Sequence, residues 1–98
     1  MKLPPFLKKY FWNVDFSKLD FKKDSFFIIN RILEYGDDKA LRWLFKNASK
    51  KQIKEVVLNS RELTAKSANF WGLMFNLDRN KILCLKKPYQ KMQKTHWI

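Results

Sequence analysis

Few side chains in this sequence are able to do covalent or acid–base chemistry. Asp37 and Asp38 are adjacent, Cys84 stands between Leu83 and Leu85, and His96, the single histidine, lies close to the C-terminal Ile98. Two carboxylates serve acid–base catalysis when they converge on one site. Neighbours at a helix start diverge instead, and helix capping accounts for both aspartates. A thiol between two leucines reads as a small buried apolar residue, with no histidine nearby in sequence to lower its pKa. His96, with Lys94 and Trp97, reads as part of a terminal tail. The chain has no Gly-rich phosphate loop, HExxH pattern or metal-ligating cluster, so it is expected to be no enzyme and to carry neither cofactor nor metal.

Binding chemistry has better candidates. Residues 49–76 have the outline of a helix-turn-helix, with Ser60-Arg61-Glu62-Leu63 as the connection. In that motif the second helix enters the DNA major groove. Thr64, Lys66, Ser67 and Asn69 are of types that read base edges, and Lys50, Lys51 and Arg61 are placed to hold phosphates. Lys86, Lys87, Lys91 and Lys94 complete the candidate nucleic-acid set in the basic C-terminal segment. The N-terminal run Phe6-Leu7-Lys8-Lys9-Tyr10-Phe11-Trp12 interleaves rings with lysines, as in proteins that stack single-stranded bases. The preferred reading there is that the rings anchor the core and the lysines face water.

The elements that must position these groups follow from periodicity and punctuation. Pro4 and Pro5 suit the first turn of a short helix over residues 6–11. Tyr10, Trp12, Val14 and Phe16 then alternate, which predicts an extended segment, with Ile82 to Leu85 as its only apparent strand partner and Asp15 starting a turn. Asp24 is expected to cap a helix with Phe26, Ile29, Ile32 and Leu33 inward, ended by a left-handed Gly36. Asp37 and Asp38 open the next helix, striped by Leu41, Leu44, Phe45 and Ala48. Ser49 and Gln52 form a capping-box pattern ahead of Ile53, Val56 and Val57. Thr64 caps a helix running to about Asn76, apolar on nearly every side and so expected to be central and buried. A turn of helix after Asp78 and a last helix beginning at Pro88 complete the chain.

Composition agrees with this outline. The 98 residues include only 2 Gly and 3 Pro, with 46% hydrophobic and 16% aromatic side chains, which favours a folded, helix-rich chain with short loops. We therefore expect an all-α, compact single-domain bundle of about five or six short helices, with a helix-turn-helix-like pair and an extended N-terminal segment. Within residues 1–98 the expected parts are a basic aromatic segment (1–23), a helical core (24–77) and a basic C-terminal segment (78–98). The opening MKLPPFLKKYFW reads as neither a secretory signal nor a membrane span. One cysteine allows no intramolecular disulfide, which fits a cytoplasmic setting.

Against 9 Asp+Glu stand 21 Lys+Arg, a net charge of +12. Residues 1–23, with six lysines and two aspartates, hold +4; residues 78–98, with six basic side chains and one aspartate, hold +5. The candidate recognition helix contributes one lysine, Lys66. Basic ends flanking a nearly neutral body call for a polyanionic or acidic partner, nucleic acid or protein.

The strings LPPFLKKYFWNVDFSKLD, FIINRILEYGDDKALRWLFK, IKEVVLNSRELTAKSANFWGLMFNL and KILCLKK together resemble a family of small prokaryotic proteins known as a domain of unknown function. Arg31-Ile32-Leu33, Gly36-Asp37, Trp43-Leu44, Ser60-Arg61 and Asn69-Phe70-Trp71 carry the likeness. Members are typically encoded beside a nucleotidyltransferase-like toxin of the abortive-infection AbiEii type. The resemblance therefore implies the antitoxin half of a toxin–antitoxin system, with that toxin as partner, and supplies no site residues. The expected function is a non-enzymatic protein–protein interaction module, with DNA binding for autoregulation as a second role. Two alternatives are a stand-alone nucleic-acid-binding protein and a small subunit that presents RNA or nucleotide to a nucleotidyltransferase.

Overall fold

A computed structural model describes residues 2–85, and every regular element among them is helical. The order is a 3₁₀ turn Pro5–Tyr10, a 3₁₀ turn Phe16–Lys18, helices α1 (Ser25–Tyr35), α2 (Asp38–Asn47), α3 (Lys50–Asn59) and α4 (Ala65–Met74), and 3₁₀ turns Arg79–Lys81 and Leu83–Leu85. The all-α class expected from periodicity is thus the class observed. The chain divides into two compact units between Ser49 and Lys50. The expected helix from Pro88 lies outside the described residues, as does the expectation for the Cys84 side chain.

In the first unit, Pro5 occupies the start of its 3₁₀ turn, where a missing N–H costs nothing. Leu7, Tyr10 and Phe11 are buried with Ile28, Ile29, Ile32 and Leu33 of α1 and Ala40 and Leu44 of α2. The extended segment read from Tyr10, Trp12, Val14 and Phe16 is not formed. Residues 12–14 make a turn, and Asp15 caps the Phe16–Lys18 turn by accepting from the Ser17 N–H at 3.1 Å. Ile82, the other half of the expected strand pair, caps one 3₁₀ turn just before the next. Burial does not follow the alternation: Tyr10 and Phe11 both point inward, while Trp12 and Val14 are exposed.

Three expectations for α1 and α2 need correction. Asp24 stands at the N-cap position, but its carboxylate turns back to accept from the Asp20 N–H at 3.1 Å. Phe26 and Phe45, expected on the inward stripes, are exposed, because the small core is already filled by aliphatic side chains and by Phe11 and Phe21. Gly36 is extended, at φ −68° and ψ 148°, so it supplies no left-handed cap. A Cβ there would lie 2.5 Å from the Ile32 carbonyl oxygen and 3.2 Å from the Ala40 Cβ. Glycine is required by the close approach of the Ile32 carbonyl in the last turn of α1, with Ala40 of α2 beyond it, rather than by a left-handed backbone. The left-handed residue is Asn76, at φ 53°. Its N–H donates to the Leu73 carbonyl at 3.2 Å while the Leu77 N–H reaches Gly72 at 2.8 Å, the Schellman pattern that ends α4.

Asp37 does cap α2, its Oδ1 accepting from the Ala40 N–H at 3.0 Å. That hydrogen bond holds its carboxyl below the usual range, aided by Lys9 at 3.4 Å, and the same pair raises the Lys9 ammonium. A carboxyl with a lowered folded pKa stabilises above its unfolded value and loses that contribution as pH falls through the folded one. Acid unfolding of Asp37→Ala should therefore start from a lower stability at neutral pH, and its deficit against the parent chain should shrink as the pH drops below the carboxylate range. Gly36→Ala should lower stability by about 1–3 kcal/mol, read from the urea midpoint, because backbone rather than a flexible side chain blocks the new methyl.

Candidate functional site

The second unit contains the candidate helix pair. Along α3, Ile53, Val56 and Val57 are buried while Lys50 and Lys51 face solvent, an amphipathic division that matches the spacing in sequence. The chain leaves α3 through Ser60, whose N–H donates to the Val56 carbonyl at 2.9 Å. The Ser60 hydroxyl is buried and accepts from both the Glu62 and Leu63 N–H groups at 3.1 Å. This tight turn drives Leu63 fully into the core. Thr64 then caps α4 as expected, its Oγ1 accepting from the Ser67 N–H at 3.2 Å.

Helix α4 buries Ala68, Trp71 and Gly72. Gly72 allows close contact: a Cβ there would stand 2.7 Å from the Ile82 Cδ1. Ile82 and Leu85 pack beneath, and α3 and α4 both meet the Leu83–Leu85 turn. The other side of α4 is open. Phe70 is 53%, Leu73 76% and Met74 63% exposed, so the expectation of a helix buried all round is overturned. A ten-residue helix packed along one side retains an open face, whatever its composition. The Phe70 ring meets Trp71 edge-on at 4.9 Å, and Trp71 stacks on Phe75 at 6.1 Å, so the open face continues an aromatic cluster.

The predicted nucleic-acid residues fall into three groups. Lys50, Lys51, Arg61, Thr64 and Lys66 are exposed. Ser67 and Asn69 are half-buried, with Ser67 joined to Thr64 by the cap and Asn69 accepting from Arg79 Nη1 at 2.6 Å. Lys86, Lys87, Lys91 and Lys94 lie outside the described residues. Arg79, missed by the sequence reading, brings a second cation to α4 besides Lys66. Its position just after Asp78 in a polar turn offered a signal only if the turn folded back on the helix.

Among the described residues, no group of three His, Cys, Asp or Glu is gathered to hold a metal ion, and no helix is long and apolar enough to cross a membrane. Fold and site together define a small, basic, all-helical protein with an open apolar row on its fourth helix. The model of a family of unknown function (DUF6922) matches residues 6–57, and the chain belongs to that family. The match takes in the aromatic N-terminal segment, α1, α2 and most of α3, and stops short of α4. No curated protein and no solved structure matches the chain.

The Ser60 hydroxyl is the polar support of the α3–α4 turn. Ser60→Ala leaves two N–H groups of the turn without that acceptor and should cost about 1–3 kcal/mol in chemical denaturation.

Proposed function

We propose that the chain is a non-enzymatic binding module, the antitoxin-like partner of a nucleotidyltransferase-type toxin, with binding to its own operator DNA as a second role. The observation that supports the partner role most directly is the exposed row Phe70, Leu73 and Met74 on α4. Apolar side chains three and four positions apart form one stripe of a helix, and such a stripe is a docking face for another protein. Phe and Met are enriched at protein interfaces. Lys66 stands one turn before Phe70, and Arg79 reaches the helix at Asn69, so cations border the row. An apolar centre with a basic rim suits an apolar partner surface edged by carboxylates.

A stand-alone nucleic-acid-binding role is the second reading, favoured by the exposure of Lys50, Lys51, Arg61 and Lys66 on the helix pair. The two readings differ in their dependence on salt. Binding to nucleic acid weakens linearly in log affinity against log salt, through counterion release. Docking through the apolar row does not share that steep dependence.

Co-expression with the product of the adjacent gene should give one complex on gel filtration. Leu73→Asp with Met74→Asp should weaken it at least about tenfold while leaving the melting temperature of the free chain nearly unchanged, since both side chains are exposed. Two proteins that elute separately at micromolar concentration rule out the partner role.

A further inference from the structure

Residues 11–17 build a second surface, in the first unit and on none of the residues of α4. The Phe11 N–H donates to the Lys8 carbonyl at 3.0 Å, closing one 3₁₀ turn, and Asp15 opens the next. Between these turns lies a groove of about 440 Å³ lined by Lys8, Phe11, Trp12, Val14 and Phe16, with Asp15 and Ser17 on its wall. Its volume is within the range of small-ligand sites, roughly 300–1,000 Å³.

Three rings line it in different ways. Phe11 is buried, and its ring lies 6.0 Å from that of Phe16 at 41°. Trp12 is 63% exposed, yet it is held in place. The Arg31 guanidinium lies 4.6 Å from the centre of its ring, and Tyr35 meets it edge-on at 5.2 Å. Arg31 is fixed in turn by donating to the Tyr10 carbonyl at 3.0 Å and by the Phe27 ring at 4.9 Å. An exposed ring already held rigid loses little freedom when another flat ring stacks on it.

The charges near the groove select the occupant. Lys8 lines it and Lys18 comes directly after Ser17 in sequence, both exposed, within an N-terminal segment of net charge +4. Asp15 is the opposing charge, and its Oδ1 is engaged by the Ser17 N–H at 3.1 Å and the Ser17 hydroxyl at 2.6 Å. Rings beside cations match stacking without sequence readout. A lipid surface would call for a longer apolar face than a six-residue 3₁₀ turn offers.

We propose that this groove binds single-stranded nucleic acid, a base stacking on Trp12 and Phe16 and the flanking phosphates meeting Lys8 and Lys18. The site is independent of the apolar row on α4, and its test needs only the free chain.

The experiment is fluorescence anisotropy of the full chain with labelled oligo(dT) and oligo(U) of about 12 nucleotides, a length that covers common single-strand site sizes. At low salt either strand should bind. Trp12→Ala should weaken binding about tenfold, in line with the loss of one stacked base, while Trp12→Phe recovers most of it. Lys8→Gln should flatten the log–log salt slope by about 0.7. Circular dichroism of each variant should match the parent chain. Absence of binding at low salt, Trp12→Ala binding as tightly as the parent, or a duplex competing as well as the single strand overturns the proposal. Should Trp12→Ala fail to fold, the Trp12→Phe and Lys8→Gln results decide the matter on their own.

Discussion

In residues 2–49 one residue, Tyr10, ties together three parts of the chain that are distant in sequence. Its backbone carbonyl accepts from Arg31 of α1 at 3.0 Å, and its hydroxyl accepts from the Asp37 N–H at the start of α2 at 3.1 Å. The N-terminal 3₁₀ turn is thereby fastened to both helices by hydrogen bonds at the backbone and at the hydroxyl of a buried tyrosine. The α1–α2 joint next to it is as tight as a chain permits, with Gly36 against the Ile32 carbonyl and Asp37 already capping α2. Most of the polar groups at the joint are used in making it. The exposed Lys9–Asp37 pair adds little, since both side chains are solvated.

This arrangement explains which parts of the fold were legible in the sequence. Local hydrogen bonds that depend on a single residue type were readable: Asp37 before Ala40, Thr64 before Ser67, and Asp15 before Ser17 all act as caps. The inward stripe Ile53, Val56 and Val57 was readable too, because one partner surface selects one stripe. Features decided by tertiary packing were not. The alternation of Tyr10, Trp12, Val14 and Phe16 has the period of a strand, yet the Tyr10 hydrogen bonds and the contacts of Phe11 with Phe16 and Phe27 favour consecutive turns. Gly36 has the sequence context of a left-handed cap, and only the nearness of the Ile32 carbonyl and Ala40 reveals its other purpose.

The candidate site follows the same division. Periodicity located α4 and its cap, but a helix apolar all round does not disclose which of its sides will lack a neighbour. A small chain has too little interior to bury all its apolar side chains, so Phe26, Phe45, Phe70, Leu73 and Met74 face outward. Three of these share one helix face, and that grouping distinguishes α4 from the scattered pair on α1 and α2. The ten-residue lengths of α2, α3 and α4 are marginal for isolated helices. Each therefore depends on its buried side for existence and can vary its open side at small cost.

Arg31 sets the N-terminal aromatic segment apart from the lysines around it. Acetylation neutralises an ammonium group, whereas methylation leaves a guanidinium charged. Acetylation of Lys8, Lys9 and Lys18 would leave the Arg31 cation embedded among Phe11, Trp12 and Phe27. The positive potential beside Trp12 is thus a fixed property of the fold, and the lysines supply only its adjustable part.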